Sequence, residues 1–231
     1  MPLILIKELT TKKELTEFVK FPLSLYKNNP YWVPPLISDE VASFDKTKNP
    51  VFDNAEAFFY GAYNDKGKMV GRVVAIINQH DLKQNIKKVR FGWLDMIDDI
   101  QVTQALLDKV AEKAREYQLE YMEGPIGFSN MDKVGLLTEG YDHLSNMMTW
   151  YNYPYYNQHL EQLGFTKEKG FVEMEFLVKN SKPEIFKKTA EAIKKRYGVK
   201  FIDTPTTKEV LKHVDAMFDL YNETYSKLAS Y

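Results

Sequence analysis

Arg90-Phe91-Gly92-Trp93-Leu94-Asp95-Met96-Ile97-Asp98-Asp99-Ile100-Gln101-Val102-Thr103-Gln104-Ala105-Leu106-Leu107 contains the change of period on which the fold turns. Arg90–Ile97 has the length and apolar content of a strand and is closed by two carboxylates. Beyond it Leu106, Leu107, Val110, Ala111 and Ala114 recur at helical spacing, which predicts a helix to about Tyr117. Asp98 or Asp99 can cap that helix, because a short carboxylate accepts from amides the first turn leaves unpaired. A short strand is then predicted at Glu120–Glu123, stopped by Gly124-Pro125.

Upstream, Glu56–Asn64 and Met69–Asn78 flank Asp65-Lys66-Gly67-Lys68 and read as a hairpin. Leu3–Leu9 reads as a strand. Thr10 or Thr11 can cap the helix that follows, with Leu15, Phe18, Val19, Leu25 and Tyr26 on its apolar face. Pro22 is expected to kink or interrupt it. The prolines of Asn28–Pro35 exclude regular helix there, and a short helix is predicted around Asp39–Phe44. Downstream, Ile126–Met148 is loop-like, Asn152–Leu163 is a short helix ending at Gly164, and Phe171–Val178 reads as a strand. Together these elements predict an α/β fold, a mixed central sheet with helices on both faces.

A C-terminal helical extension is expected beyond residue 180. Pro183–Tyr197 reads as a helix ended by Gly198, then Val199–Asp203 as a strand and Thr206–Leu228 as a helix. The last two echo the start of the chain: Ile6, Thr10, Thr11 and Lys12 match Ile202, Thr206, Thr207 and Lys208. After a one-residue gap, Glu14, Val19, Leu25 and Tyr26 match Glu209, Val214, Leu220 and Tyr221. The expected organisation is therefore one domain over residues 1–180, then a linker helix and the opening of a truncated second copy over 181–231. The apolar side of Thr206–Leu228 needs burial, either on the first domain or across a homodimer.

Bulk properties narrow the function. The net charge of −1 supplies no field to recruit nucleic acid. With no cysteine, disulfides, thiolate metal sites and a cysteine nucleophile are excluded, and the four histidines lack metal-ligand spacing, so no metal is expected. Met1–Ile6 is too short for a signal peptide, and no later stretch has the length of a membrane span, so a cytoplasmic protein is expected. Aromatic residues gather at Tyr31-Trp32 and Tyr151–Tyr156, where they either line an apolar pocket or cap a core.

Several stretches together carry a family resemblance: Asn29-Pro30-Tyr31-Trp32-Val33-Pro34-Pro35-Leu36, Asn49-Pro50-Val51-Phe52, Val70-Gly71-Arg72, Phe91-Gly92-Trp93, Asp98-Asp99, Gly124-Pro125-Ile126-Gly127-Phe128 and Tyr151–Tyr156. Over residues 1–180 the chain resembles the GNAT (N-acetyltransferase-like) superfamily, and within it a bacterial group of GNAT-like proteins with a tandem domain. The resemblance implies an acyltransferase that takes an acyl group from acetyl-CoA or another acyl-CoA, as co-substrate, to an amine. It places the pantetheine arm at Met96 and Ile97, and the pyrophosphate on the start of the next helix at Ile100, Gln101, Val102, Thr103 and Gln104, with Asn152 nearby. Tyr31, Trp32 and Phe128 become candidates for the acceptor wall.

Two departures cut against this assignment. The phosphate loop of the resemblance is glycine-rich, whereas Asp98–Gln104 has no glycine and begins with two carboxylates. The tyrosine that protonates the departing thiolate falls on Leu160, so Tyr155, Tyr156 or His159 would have to stand in. Glu123, at a strand end, is either the base for the acceptor amine or an exposed terminal residue. Asp95, Asp98 and Asp99 can act as a carboxylate pair or as caps. The chain is thus expected to be an acyltransferase using acyl-CoA or an acyl carrier protein. The alternative is a catalytically silent ligand-binding or scaffold module with a degenerate CoA loop.

Overall fold

The computed structural model describes residues 4–129, 132–146, 148–200, 202–225 and 228. Leu3, Asn130, Met131, Met147, Phe201, Ser226 and Lys227 fall in expected elements but lie outside the described residues. The chain divides into two compact units, one up to Glu168 and one from Lys169 on.

The first unit is built on a five-stranded mixed sheet of order β1-β2-β3-β4-β5. The strands are β1 (Leu5–Leu9), β2 (Ala55–Tyr63), β3 (Met69–Asn78), β4 (Lys88–Met96) and β5 (Tyr121–Glu123). The first four pair antiparallel with their neighbours, and β5 runs parallel to β4. The β2–β3 turn has Gly67 at φ +70°, the left-handed conformation that glycine adopts without strain.

Side chains alternate between two cores, as a period of two requires. Tyr60, Ala62, Val73, Ala75 and Ile77 enter one core, covered by α4 (Ile100–Glu116) and α5 (Tyr155–Gln162). Ala57, Phe59, Val74 and Ile76 enter the other, covered by α1 (Lys12–Leu25) and α2 (Ile37–Ser43). Short helix α3 (Gln79–Lys83) links β3 to β4. The expected α/β class, with helices on both faces, is the observed one.

Helix α1 starts with a full capping box. Thr11 accepts from the Glu14 amide, and the Glu14 carboxylate accepts from the Thr11 amide at 2.9 Å. Thr11→Ala is expected to cost about 1 kcal/mol of stability, read as a lower urea midpoint at unchanged m. Contrary to expectation, Pro22 does not interrupt α1, which runs through it to Leu25. Helix α4 begins as expected, with Asp99 as its cap accepting from the Gln101 amide.

The second unit holds α6 (Pro183–Tyr197), α7 (Thr207–Val210) and α8 (Val214–Tyr225). Gly198 ends α6 at φ +63°. Thr206 and Glu209 repeat the capping box of Thr11 and Glu14. The matching boxes set Thr11 opposite Thr206 and Glu14 opposite Glu209, so the gap inferred from sequence falls before the cap and not after Lys12.

The strand expected at Phe171–Val178 is absent: residues 171–177 have no regular structure and 178–180 form a short 3-10 turn. Val172, Met174 and Phe176 are exposed, and a lone extended segment has no ladder to satisfy its amides. For the same reason the described residues of Val199–Asp203 form no strand. Leu211, Met217, Phe218 and Leu220 are exposed.

Candidate functional site

The site is set by a fault in β4. Arg72 on β3 faces Asp95, but Val74 faces Gly92, so one residue of β3 spans two of β4. Trp93 absorbs the extra residue at φ +47°, an uncommon conformation for a bulky side chain. The bulge reverses the alternation. Val89 and Phe91 enter the α4/α5 core, Trp93 enters the opposite core, and Leu94 and Met96 return to the first. Asp95 therefore lies on the face of Arg72, where an unbroken strand would have turned it away. Gly92 is required beside the bulge, since a Cβ there would lie 2.3 Å from the Ile126 carbonyl oxygen.

Below the bulge β4 also loses its partner. Its pairing with β5 covers Lys88, Val89 and Arg90 opposite Tyr121, Met122 and Glu123, and the chain then leaves through Gly124 and a cis Pro125. The Phe91 carbonyl accepts from the Ile126 amide at 2.8 Å. At the far end of β4, hydroxyls of α5 take the place of a strand. The Met96 amide donates to the Tyr156 hydroxyl at 3.3 Å, and Tyr155 donates to the Met96 carbonyl at 2.7 Å.

Buried at this end is a network centred on Asp95. Its Oδ1 accepts from Tyr26 at 2.9 Å and Tyr156 at 3.0 Å, and the two phenols lie 2.8 Å apart. Its Oδ2 accepts from Arg72 Nε at 2.8 Å and is paired with the second guanidinium nitrogen at 2.7 Å. The remaining Arg72 nitrogen donates to the Phe18 carbonyl at 2.9 Å. That carbonyl is available because Pro22, four residues on, has no N–H to claim it. Burial, and then the Asp95 charge, pushes both Tyr26 and Tyr156 well above the ordinary phenol pKa. Tyr155 is shifted up for the same reasons, with Asp98 adding to the effect. All three hydroxyls therefore stay protonated at neutral pH.

Beside the network is a cavity of about 20 Å3, lined by Tyr26, Trp32, Glu40, Asp95, Lys133 and Trp150 among others. Trp32 stacks on Tyr26 with ring centroids 5.1 Å apart, and Trp150 meets Trp93 edge-on at 5.9 Å. The indole N–H of Trp93 donates to Glu40.

The chain is 32% identical over 166 residues to Protein YghO of Escherichia coli K12. That match takes in 71% of this chain but 42% of YghO, so the chain spans less than half the length of this relative. No protein-family model matches the chain. Among solved structures it is similar to an acetyltransferase of the GNAT family from Staphylococcus aureus Mu50, at a TM-score of 0.38 and 19% identity, over 53% of this chain and 73% of that one. It is also similar to a Pyrococcus furiosus protein with a provisional acetyltransferase assignment, at a TM-score of 0.45 and 14% identity, over 75% of this chain and all of that one.

The structure gathers some of the expected site residues and disperses others. Tyr155, Tyr156 and Met96 meet at the end of β4, and Ile97 follows with its amide on the Val70 carbonyl at 3.0 Å. His159 is buried in the next turn of α5, where its Nδ1 bonds Thr103 at 2.8 Å and its Nε2 lies 3.3 Å from Asp98. Trp32 lines the cavity. Tyr31 is partly exposed nearby, its carbonyl accepting from the Ser145 amide at 2.8 Å.

Phe128 belongs to the core, against Trp93 and Phe52. Asn152 clamps the preceding loop, accepting from the Leu137 amide at 2.7 Å and donating to its carbonyl. Glu123 pairs with Lys88 at 2.7 Å, in register with Arg90. Five residues of strand, roughly 16 Å, separate that register position from Asp95.

The start of α4 does not fit a pyrophosphate as it stands. The Gln101 amide is held by the Asp99 carboxylate at 2.9 Å, and the Val102 and Thr103 amides by the Asp99 carbonyl at 3.0 and 3.3 Å. Ile100 begins the helix, Val102 is buried in the core, and Gln101 and Gln104 are exposed. Sequence reasoning passed over Tyr26, Arg72, Glu40 and Lys133. Arg72 carried the usable signal: a charge inside the apolar run of β3 demands a buried partner.

No helix among the described residues is long and apolar enough to cross a membrane.

Proposed function

We propose that the first unit is an acyltransferase that moves an acyl group from a thioester, carried by coenzyme A or a carrier protein, to an amine. The supporting observation is the position of the Tyr156 hydroxyl. It bonds Asp95, Tyr26 and the Met96 amide at the strand end where β4 has left β5, beside a polar cavity with aromatic walls. In the proposed reaction the acceptor nitrogen attacks the thioester carbonyl carbon and the carbon–sulfur bond breaks. The sulfur takes the hydroxyl proton of Tyr156 as it departs, and the proton lost by the acceptor replaces it. Tyr155 is the second donor in reach of the strand edge. Glu123, His159 and Asn152 are assigned supporting roles in holding the sheet, α5 and the loop. A donor would pair with the Met96 edge by displacing Tyr155 and Tyr156, and its phosphates would lie away from the capped start of α4.

A second reading has its own support. The hydroxyls of Tyr155 and Tyr156 already satisfy the Met96 edge, and Asp99 satisfies the helix start, as in a module that binds no donor. A thermal-shift titration with CoA, acetyl-CoA and a long-chain acyl-CoA separates the two. At about a hundred times its Kd a donor adds roughly 2.7 kcal/mol, a rise of a few degrees in Tm. A saturable rise supports the acyltransferase. No rise with any of the three, together with no transfer from an acyl carrier protein, leaves the silent module.

A further inference from the structure

The cavity beneath Trp32 and Trp150 is lined by four charged side chains, of which two satisfy each other. Asp95 is saturated, with two phenols on one oxygen and the Arg72 guanidinium on the other, so it has no capacity for an incoming group. Glu40 and Lys133 remain. Glu40 receives the Trp93 indole N–H on one oxygen, which leaves its other oxygen to accept. The Lys133 ammonium forms no ion pair with Glu40 and has no hydrogen-bond partner among the described residues, although both side chains line the same cavity. Burial weakens the hold of Lys133 on its proton; the Glu40 charge opposes this, the Arg72 charge adds to it, and the Asp95 charge opposes it.

A half-buried ammonium with no hydrogen-bond partner is less well solvated than one in water, and an anion bound from outside relieves that cost. A carboxylate with a free oxygen across the same cavity calls for a cation. Trp32, Trp150 and Tyr151 line the cavity, which lowers the local polarity and suits an ammonium lying against aromatic faces. The enclosed part of the cavity, about 20 Å3, has room for one water and opens to solvent, so one charged end of a small molecule displaces that water while its other end lies at the mouth.

We infer that this cavity binds a zwitterionic amine, its ammonium at Glu40 and a carboxylate or phosphate oxygen at Lys133. That such a ligand is the acyl acceptor rests on the function proposed above; that it binds rests on the cavity alone. Amino acids and phosphorylated amines share this chemistry.

The test is isothermal titration of the full chain, with no acyl donor present, against glycine, O-phosphoethanolamine, ethylamine and acetate. At least one of the two zwitterions is expected to bind roughly 10- to 100-fold more tightly than ethylamine or acetate, as a charge-assisted hydrogen bond provides. The tighter of the two identifies the anion. Lys133→Met is expected to reduce that zwitterion to the level of ethylamine, while Glu40→Gln, which keeps the acceptor for Trp93, weakens every amine. The Lys133→Met protein should fold at least as stably as the parent, since it loses a desolvated charge, and its thermal midpoint checks this. Equal binding of ethylamine and the zwitterions, an unchanged preference in Lys133→Met, or no binding by any of the four overturns the inference. Because no donor is present, failure of the donor titration leaves this result standing, and failure here leaves donor binding untouched.

Discussion

Asp95→Ala is expected to cost the first unit about 3–5 kcal/mol, a large share of the roughly 5–15 kcal/mol that holds a typical domain folded. Arg72 is only 4% exposed, and without Asp95 its guanidinium keeps the Phe18 carbonyl as its one described hydrogen-bond partner, beside the face of the Phe18 ring. The phenols of Tyr26 and Tyr156 lose the carboxylate they share, although Tyr26 keeps the Tyr151 carbonyl at 3.2 Å. Urea unfolding followed by tryptophan fluorescence reads the loss directly, because Trp32, Trp93 and Trp150 all surround this region. The double variant Arg72→Met/Asp95→Leu supplies the control. Removing both charges relieves the unpaired guanidinium, so it should recover a large part of what Asp95→Ala loses. If Asp95→Ala unfolds at the parent's urea midpoint, the network contributes no net stability.

The same network sets the alkaline limit. Tyr26 and Tyr156 have pKa values raised above the ordinary 10.0 in the folded chain. A raised pKa means the folded state holds the proton more tightly than the unfolded one. The associated stability is complete below pH 10 and is lost as pH rises from there through the folded values. The Asp95 network therefore predicts falling stability above pH 10, with no contribution from these phenols to any change near neutrality.

Much of the fold was legible because it depends on local periodicity and local chemistry. The run from Arg90 into the capped helix, the Lys66-Gly67 turn and the Thr11 cap each declare themselves within a few residues. The two expected strands that failed, Phe171–Val178 and Val199–Asp203, show the limit of that information. Alternation states that a segment can be a strand, but a strand needs a neighbour, and no local pattern supplies one. The site was less legible because two local irregularities combine at long range. Pro22 was expected to kink or interrupt a helix; the helix runs through it, and it frees the carbonyl that holds Arg72. Phe91-Gly92-Trp93 contributed to a resemblance, yet its physical role is a bulge that turns Asp95 to the other face. Neither effect is visible until residues 18, 72 and 95 meet in space. Tyr155 and Tyr156 were identified as candidates by their helix, but their strand-edge contacts depend on where β4 leaves β5.

Tyr156→Phe is expected to lower kcat for acyl transfer by about 10²- to 10⁴-fold, the range for removing a positioned proton donor, with a much smaller change in KM. The substitution keeps the buried ring and deletes only the hydroxyl, so the loss of stability should be about 1 kcal/mol, as for one buried hydrogen-bonding group. Tyr26→Phe provides the contrast. It also removes a hydroxyl from Asp95, so its stability cost should be similar, but Tyr156 retains Asp95 and the Met96 amide. Its effect on kcat should therefore be much smaller. Equal losses of kcat in the two variants would place the effect in the network as a whole and remove Tyr156 as the donor. Tyr155→Phe completes the set, because Tyr155 bonds the Met96 carbonyl from the same helix. If the sulfur leaves toward Tyr155, that variant carries the large loss and Tyr156→Phe the small one. Activity retained in both would show that neither phenol protonates the leaving group, and the raised pKa values would then reflect burial beside Asp95 alone.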